Sequence, residues 1–159
     1  MSYIRYKNNN LFVEGVSVKR LTSKFSTPFY LYSESGIIEN YKSFSNNFKK
    51  SKPLICFSVK ANSNIQILKV LKRMGSGADV VSGGELLKAL KSGIEPNKIV
   101  FSGVGKTEEE IRLAIKKNIL LINVESENEA LLINKIASKF KKKIAVGIRL
   151  NPDINAPTH

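Results

Sequence analysis

The sequence predicts an α/β protein built from parallel β/α units, and three features predict it. From about residue 27 onward, short β-branched apolar runs alternate with amphipathic helical stretches. Helix-start signals recur between the two kinds of segment, and each strand divides into a bulky face and a small or polar face. Strand candidates begin near Leu54, Ala78, Ile99, Leu120 and Ile144, about 20 to 24 residues apart. A repeat of that length holds one strand and one helix. Parallel neighbours require such a crossover, because a tight hairpin can join only antiparallel strands. Five core strands cannot close a barrel that needs eight, and the sequence stops in the polar stretch Asn151 to His159, so a truncated sequence is expected.

The segment before Pro28 does not share this rhythm. Leu11 to Val18 reads as a short strand with a turn at Gly15, and residues 1–26 are expected to belong to a separate β-rich unit, with the barrel portion over 27–159. Phe29 to Tyr32 reads as a strand leading into Ser33, which is placed to cap the first long helix. In that helix Ile37, Ile38, Tyr41, Phe44 and Phe48 share a face, and Ile67, Val70, Leu71 and Met74 do so in the next. Ser82 is placed to cap the helix that holds Leu86, Leu87 and Leu90. Thr107 with Glu110, and Ser126 with Glu129, have capping-box spacing. The buried stripes that follow are Ile111, Ala114 and Ile115, then Ile133, Ile136, Ala137 and Phe140.

Strand parity locates a site. In Leu54 to Lys60, Ile55, Phe57 and Val59 point one way, and Cys56, Ser58 and Lys60 the other. In Ile144 to Leu150, Ile144, Val146, Ile148 and Leu150 are expected against helices, with Ala145, Gly147 and Arg149 facing inward. Small inward residues below a terminal cation leave a cavity at the C-terminal strand ends, where α/β enzymes carry their sites. Lys60 then has its stem held by the core and its amine at the strand mouth, the requirement for a Schiff-base lysine. The competing reading is a strand-end lysine that reaches solvent.

Composition narrows the classes. With 159 residues, 42% apolar and 25% charged, the chain has the make-up of a globular protein. No apolar run approaches the roughly 20 residues of a membrane span, and the start is too polar for a signal peptide, so no membrane partner and a cytoplasmic location are expected. The formal charge of +13 comes mainly from dispersed lysines, as in Lys49-Lys50, Lys116-Lys117 and Lys141 to Lys143, without aromatic interleaving. That pattern fits a solvated surface better than a nucleic-acid partner. Cys56, the single cysteine, reads as a small core residue. Gly105-Lys106-Thr107 has the look of a phosphate-binding loop, but Val100 stands where such a loop needs its first glycine, and Thr107 is better explained as a cap. No metal-ligand cluster is expected.

Four ordered segments carry a resemblance: Phe57 to Asn62 (FSVKAN), Gly75 to Leu86 (GSGADVVSGGEL), Ile99 to Thr107 (IVFSGVGKT) and Gly147 to His159 (GIRLNPDINAPTH). From about Pro28 to its last residue the chain resembles the N-terminal portion of the diaminopimelate decarboxylase family, pyridoxal-phosphate enzymes with an alanine-racemase-like barrel. The resemblance implies the first part of a (β/α)8 barrel. It also implies a Schiff base between Lys60 and pyridoxal phosphate, and decarboxylation of meso-diaminopimelate to L-lysine. Asp79 matches the family's acidic position at the end of the second core strand, Glu85 follows on the next helix, and Arg149 corresponds to an arginine near the cofactor. For Asp79, Glu85 and Arg149 the alternatives are a turn residue, a surface carboxylate and a structural ion pair. The resemblance assigns His159 no catalytic role. It implies a homodimer in the full-length protein and an inactive, aggregation-prone piece if these residues stand alone.

Three other functions stay open on the sequence. The first is a related barrel decarboxylase for another basic amino acid or a polyamine precursor, and the second a noncatalytic pyridoxal-phosphate carrier. The third is a P-loop module.

Overall fold

The computed structural model describes residues 3–48, 50–51, 53–152 and 154. Lys49, Asp153 and His159, each part of a sequence reading above, lie outside the described residues. The chain divides into two compact units, Met1–Pro53 and Leu54–His159.

In the first unit, β1 (Ile4–Lys7), β2 (Asn10–Val13) and β3 (Val16–Ser17) form an antiparallel sheet in that order. The expected turn at Gly15 is present: Glu14 and Gly15 both have positive φ, the backbone state that reverses the chain here and that glycine adopts without steric cost. A short helix α1 (Val18–Thr22) follows, then α2 (Glu34–Asn46), which Ser33 caps by accepting from Gly36 N. The Glu14 carboxylate accepts from the Ser33 hydroxyl and from Ser35 N, fastening the β2–β3 turn to the start of α2. Residues 29–32 are not a strand. An extended run becomes a strand only through a ladder, and these residues pair with none of the described strands. Along α2, Ile37, Ile38 and Tyr41 are half-buried whereas Phe44, and Phe48 just past the helix end, are exposed, so the apolar face is covered over only part of its length.

The second unit is a five-stranded parallel sheet, with β4 (Cys56–Ser58), β5 (Gly77–Val80), β6 (Ile99–Phe101), β7 (Leu121–Val124) and β8 (Ala145–Ile148) in strictly sequential order. The crossovers are α3 (Ile65–Arg73), α4 (Gly83–Lys91), α5 (Glu108–Lys117) and α6 (Glu127–Lys139). Sequential order matters. A doubly wound sheet reverses its order to place helices on both faces, whereas uniform right-handed crossovers without reversal put every helix on one face, as in a barrel wall. Core composition agrees with that one-sided cover. Ala78, Val80, Ile99, Phe101, Ile122 and Val124 are buried on the helix side together with Leu68, Leu86, Ile111, Ile115, Ile133 and Ile136.

The unit is thus an arc of a (β/α) barrel, incomplete in this chain. β8 shows the consequence. Ile144 packs on the core, but Val146 and Ile148, expected against helices, are 50% and 79% exposed because none of the described helices follows β8 to cover that side.

Candidate active site

The opposite face of the sheet carries the small and polar residues. Parallel register sets Ser58 beside Asp79, and Asn123 beside Gly147. Ser102, two residues beyond Val100, shares that face. Ser102 Oγ donates to Asp79 Oδ1 at 2.5 Å, and Asn123 Nδ2 donates to Ser102 Oγ at 3.0 Å. Ser58 Oγ stands 3.4 Å from Asp79 Oδ2. A single row of side chains therefore runs Ser58, Asp79, Ser102, Asn123 across four strand positions, and it ends at Gly147. There a Cβ would stand 2.3 Å from Asn123 Oδ1, so only glycine leaves room for the amide. Gly77 on the same face is constrained more firmly, since a Cβ would lie 2.2 Å from the backbone oxygen of Lys98 and 2.8 Å from Cys56 Sγ.

Lys60 sits above this row, with a correction to the expected setting. The strand ends at Ser58, and Val59–Ala61 forms a 3-10 turn. Val59 takes the core position while Lys60 is exposed, so this chain by itself does not enclose the lysine stem. The turn has a local cause: Asn62 and Asn64 redirect the backbone into α3, Asn62 Oδ1 accepting from Asn64 N and Asn64 Oδ1 from Gln66 N. Among the described residues none forms a hydrogen bond or ion pair with the Lys60 amine, which leaves it open to a ligand.

The other expected site residues divide. Asp79 lies on the inner row, one strand from Ser58. Glu85 is turned to its own backbone: Ser82 caps α4 by accepting from Glu85 N, and the Glu85 carboxylate accepts from Val81 N at 2.9 Å. Ser126 and Glu129 repeat this arrangement at α6, with Glu129 accepting from Glu125 N at 2.8 Å. Arg149 extends from the end of β8, its N–H on Val124 O, and its guanidinium lies 3.1 Å from Glu125 Oε1. Lys60 and Arg149 stand beyond opposite edge strands, and four strand spacings of about 4.8 Å put those edges about 19 Å apart along the sheet. The described residues do not bring them together.

Thr107 is a cap, as expected. Its hydroxyl accepts from Glu110 N and the Glu110 carboxylate accepts from Thr107 N, the complete capping box. Lys106 is buried. Its ammonium donates to Gly103 O and Asn123 O, both at 2.7 Å, and to Glu129 Oε1 at 3.1 Å, so all three N–H bonds are used and none remains for a phosphate. Burial pushes the Cys56 thiol up, and the nearby Asp79 charge adds to the effect, which disfavours the thiolate a nucleophile needs.

Sequence reasoning missed Ser102, Asn123 and the Lys106–Glu129 pair. Alternation alone could have turned Ser102 and Asn123 inward, but their contact depends on register between strands, which a single sequence does not encode.

Residues 34–159 match the family model described as the pyridoxal-dependent decarboxylase, pyridoxal binding domain. The chain belongs to the pyridoxal-dependent decarboxylase family. Pyridoxal phosphate is the cofactor of this family's barrel domain. Among curated relatives, diaminopimelate decarboxylase of Aquifex aeolicus is 47% identical over 157 residues, covering 99% of this chain and 37% of its own length. The crystal structure of diaminopimelate decarboxylase from M. jannaschii in complex with L-lysine matches with a TM-score of 0.89 at 38% identity, over 97% of this chain and 37% of that one. The Helicobacter pylori enzyme complexed with L-lysine matches with a TM-score of 0.86 at 48% identity, over 89% and 36%. The chain spans a little over a third of the length of these relatives.

Proposed function

We propose that this chain is the Lys60-bearing part of a pyridoxal-phosphate-dependent decarboxylase that converts meso-diaminopimelate to L-lysine and carbon dioxide. One observation carries the reading: an unpartnered primary amine stands at the C-terminal end of a barrel strand, above a floor of small and polar side chains. The residues fit the cofactor. Toward the C-terminal strand ends the inward positions hold Ser58, Asp79, Ser102, Asn123 and Gly147, all small or polar, so a flat ring can lie over them.

When bound, the cofactor supplies the electron sink for the carbanion left as carbon dioxide departs. The chain supplies the rest of its share by position. Lys60 Nζ would make the covalent anchor and, once displaced by the substrate amine, would hold or deliver a proton at its amine. Asp79 would orient that amine and Arg149 would lie toward the ring's oxygen substituent. Glu85 would act by support, its carboxylate accepting from Val81 N in the β5–α4 turn that follows Asp79.

The whole reaction belongs to a longer polypeptide, in which residues 1–26 would join a β-rich domain and two copies would pair as a cytoplasmic homodimer. The relatives' names and the lysine complexes support diaminopimelate over another basic amino acid. In the full-length protein, Lys60→Ala is expected to abolish the yellow cofactor band and to lower lysine formation by at least about a hundredfold. Borohydride reduction followed by peptide mapping should place the label on Lys60. Retained colour and turnover in the variant, or ornithine or arginine consumed in place of diaminopimelate, would overturn the assignment.

A further inference from the structure

Asp79 is the one carboxylate on the inner row, and two residues with no expected role are arranged around it. Carboxylate oxygens accept, so Ser102 Oγ must spend its only proton on Asp79 Oδ1, at 2.5 Å. That leaves the lone pairs of Ser102 Oγ for Asn123 Nδ2, at 3.0 Å. The amide cannot be reversed without putting an acceptor against the Ser102 oxygen, and its other end, Oδ1, lies over Gly147, where no Cβ intervenes. The backbone of Asn123 is itself held, because buried Lys106 donates to Asn123 O at 2.7 Å. All donors therefore point one way along the row, from Asn123 through Ser102 to Asp79. Only the weaker 3.4 Å contact from Ser58 reaches the other oxygen, Oδ2.

We propose that Ser102 and Asn123 are positioning residues for the cofactor-bearing amine, fixing one oxygen of Asp79 so that the other faces the Lys60 side of the row. Neither residue touches the reacting atoms; both act through Asp79. The inference rests on the reading of Lys60 as the cofactor lysine. It adds two residues from β7 and the β6–α5 loop to that site. A freely rotating carboxylate would spread its charge over several orientations. One held by a short charge-assisted bond presents a fixed charge to a protonated nitrogen nearby.

The test uses the full-length protein loaded with pyridoxal phosphate and reads the pH midpoint of its visible absorbance, alongside binding of the cofactor. Ser102→Ala and Asn123→Ala are expected to move the midpoint in the same direction as Asp79→Asn and by less, with Ser102→Thr, which keeps the hydroxyl, restoring the original value. On the Asp79→Asn background, Ser102→Ala should add no further shift, because the two act as one unit. A second readout needs no cofactor: the Asn123 side-chain amide protons should exchange slowly in the cofactor-free protein and faster in Ser102→Ala. Additive shifts, or unchanged midpoints with the chromophore intact, overturn the proposal and leave the Lys60 reading standing. Failure of the unsubstituted protein to form the chromophore overturns both.

Discussion

Lys106 and Glu129 form a buried ion pair across two crossover units, with side chains 1% and 10% exposed. Because the Lys106 ammonium also holds the backbone of Gly103 and Asn123, it joins the β6–α5 loop to the end of β7. Removing one member of a buried pair leaves the other charge uncompensated, at a cost of about 3–5 kcal/mol. Lys106→Met is expected to lower stability by about 3 kcal/mol, the low end, since Glu129 keeps the Glu125 N–H. Glu129→Gln should cost more, about 4 kcal/mol, because the more deeply buried Lys106 ammonium loses its counter-charge and the amide nitrogen must face either it or the Glu125 N–H. Urea unfolding midpoints measure both, and equal costs would argue against this account. No nucleotide affinity should be lost with Lys106, in contrast to a P-loop.

The two crowded glycines separate backbone from side-chain constraint. Gly77→Ala places a Cβ against the backbone oxygen of Lys98, immediately before β6, which cannot yield without moving the sheet, and is expected to cost about 1–3 kcal/mol. Gly147→Ala meets only the Asn123 amide, which can rotate away. Its stability cost should be about 1 kcal/mol, the value of a lost hydrogen bond. It should also reproduce the spectral effect of Asn123→Ala. Thermal unfolding with the absorbance titration distinguishes the two glycines.

Glu110 predicts a pH dependence with a definite sign. Burial would raise its carboxyl, but hydrogen bonds from Gly83 N, Thr107 N and the Thr107 hydroxyl, with the Lys106 charge, outweigh it and hold the group below its ordinary value. A group lowered in the folded state contributes stability that is fully present above the ordinary value and is lost as pH falls through the folded one. The loss therefore belongs below about pH 4.3. Glu110→Gln should lower Tm near neutral pH and flatten its fall below about pH 4.3. An unchanged acid limb would show that another carboxylate controls it.

Cys56 should alkylate slowly. Its thiol is raised first by burial and then by the Asp79 charge, so iodoacetamide at pH 8 should react more slowly than with an exposed thiol peptide, and Asp79→Asn should speed it. Mass spectrometry of the alkylated peptide follows both rates. A slower reaction in Asp79→Asn would contradict the charge effect.

Much of the architecture was legible because local signals repeat. Ser33, Ser82, Thr107 and Ser126 each cap the helix assigned to them, and Phe57 in β4 and Val59 just after it turn toward the helices as alternation required. Lys60 stands out in the sequence because its position follows an apolar strand. Its exposure does not, since Asn62 and Asn64 turn the chain before the core can enclose it. The exposed Val146 and Ile148 follow the expected alternation but lack the expected cover, because burial depends on a neighbour and not on the strand itself.

Within Leu54–His159 the sequence alone determined the order of strands and helices, the caps of α4, α5 and α6 and the residue types on each strand face, all consequences of spacing along one chain, whereas β1, α1 and the unpaired run at 29–32 did not follow from it. Only the tertiary structure decided that Asp79, Ser102 and Asn123 meet, that Lys106 is buried against Glu129, and that Glu85 serves its own turn. Those contacts join residues about 20 apart in sequence, or, for Glu85, hinge on a side-chain direction. Their partners are chosen by strand register and close packing, which local propensity does not specify.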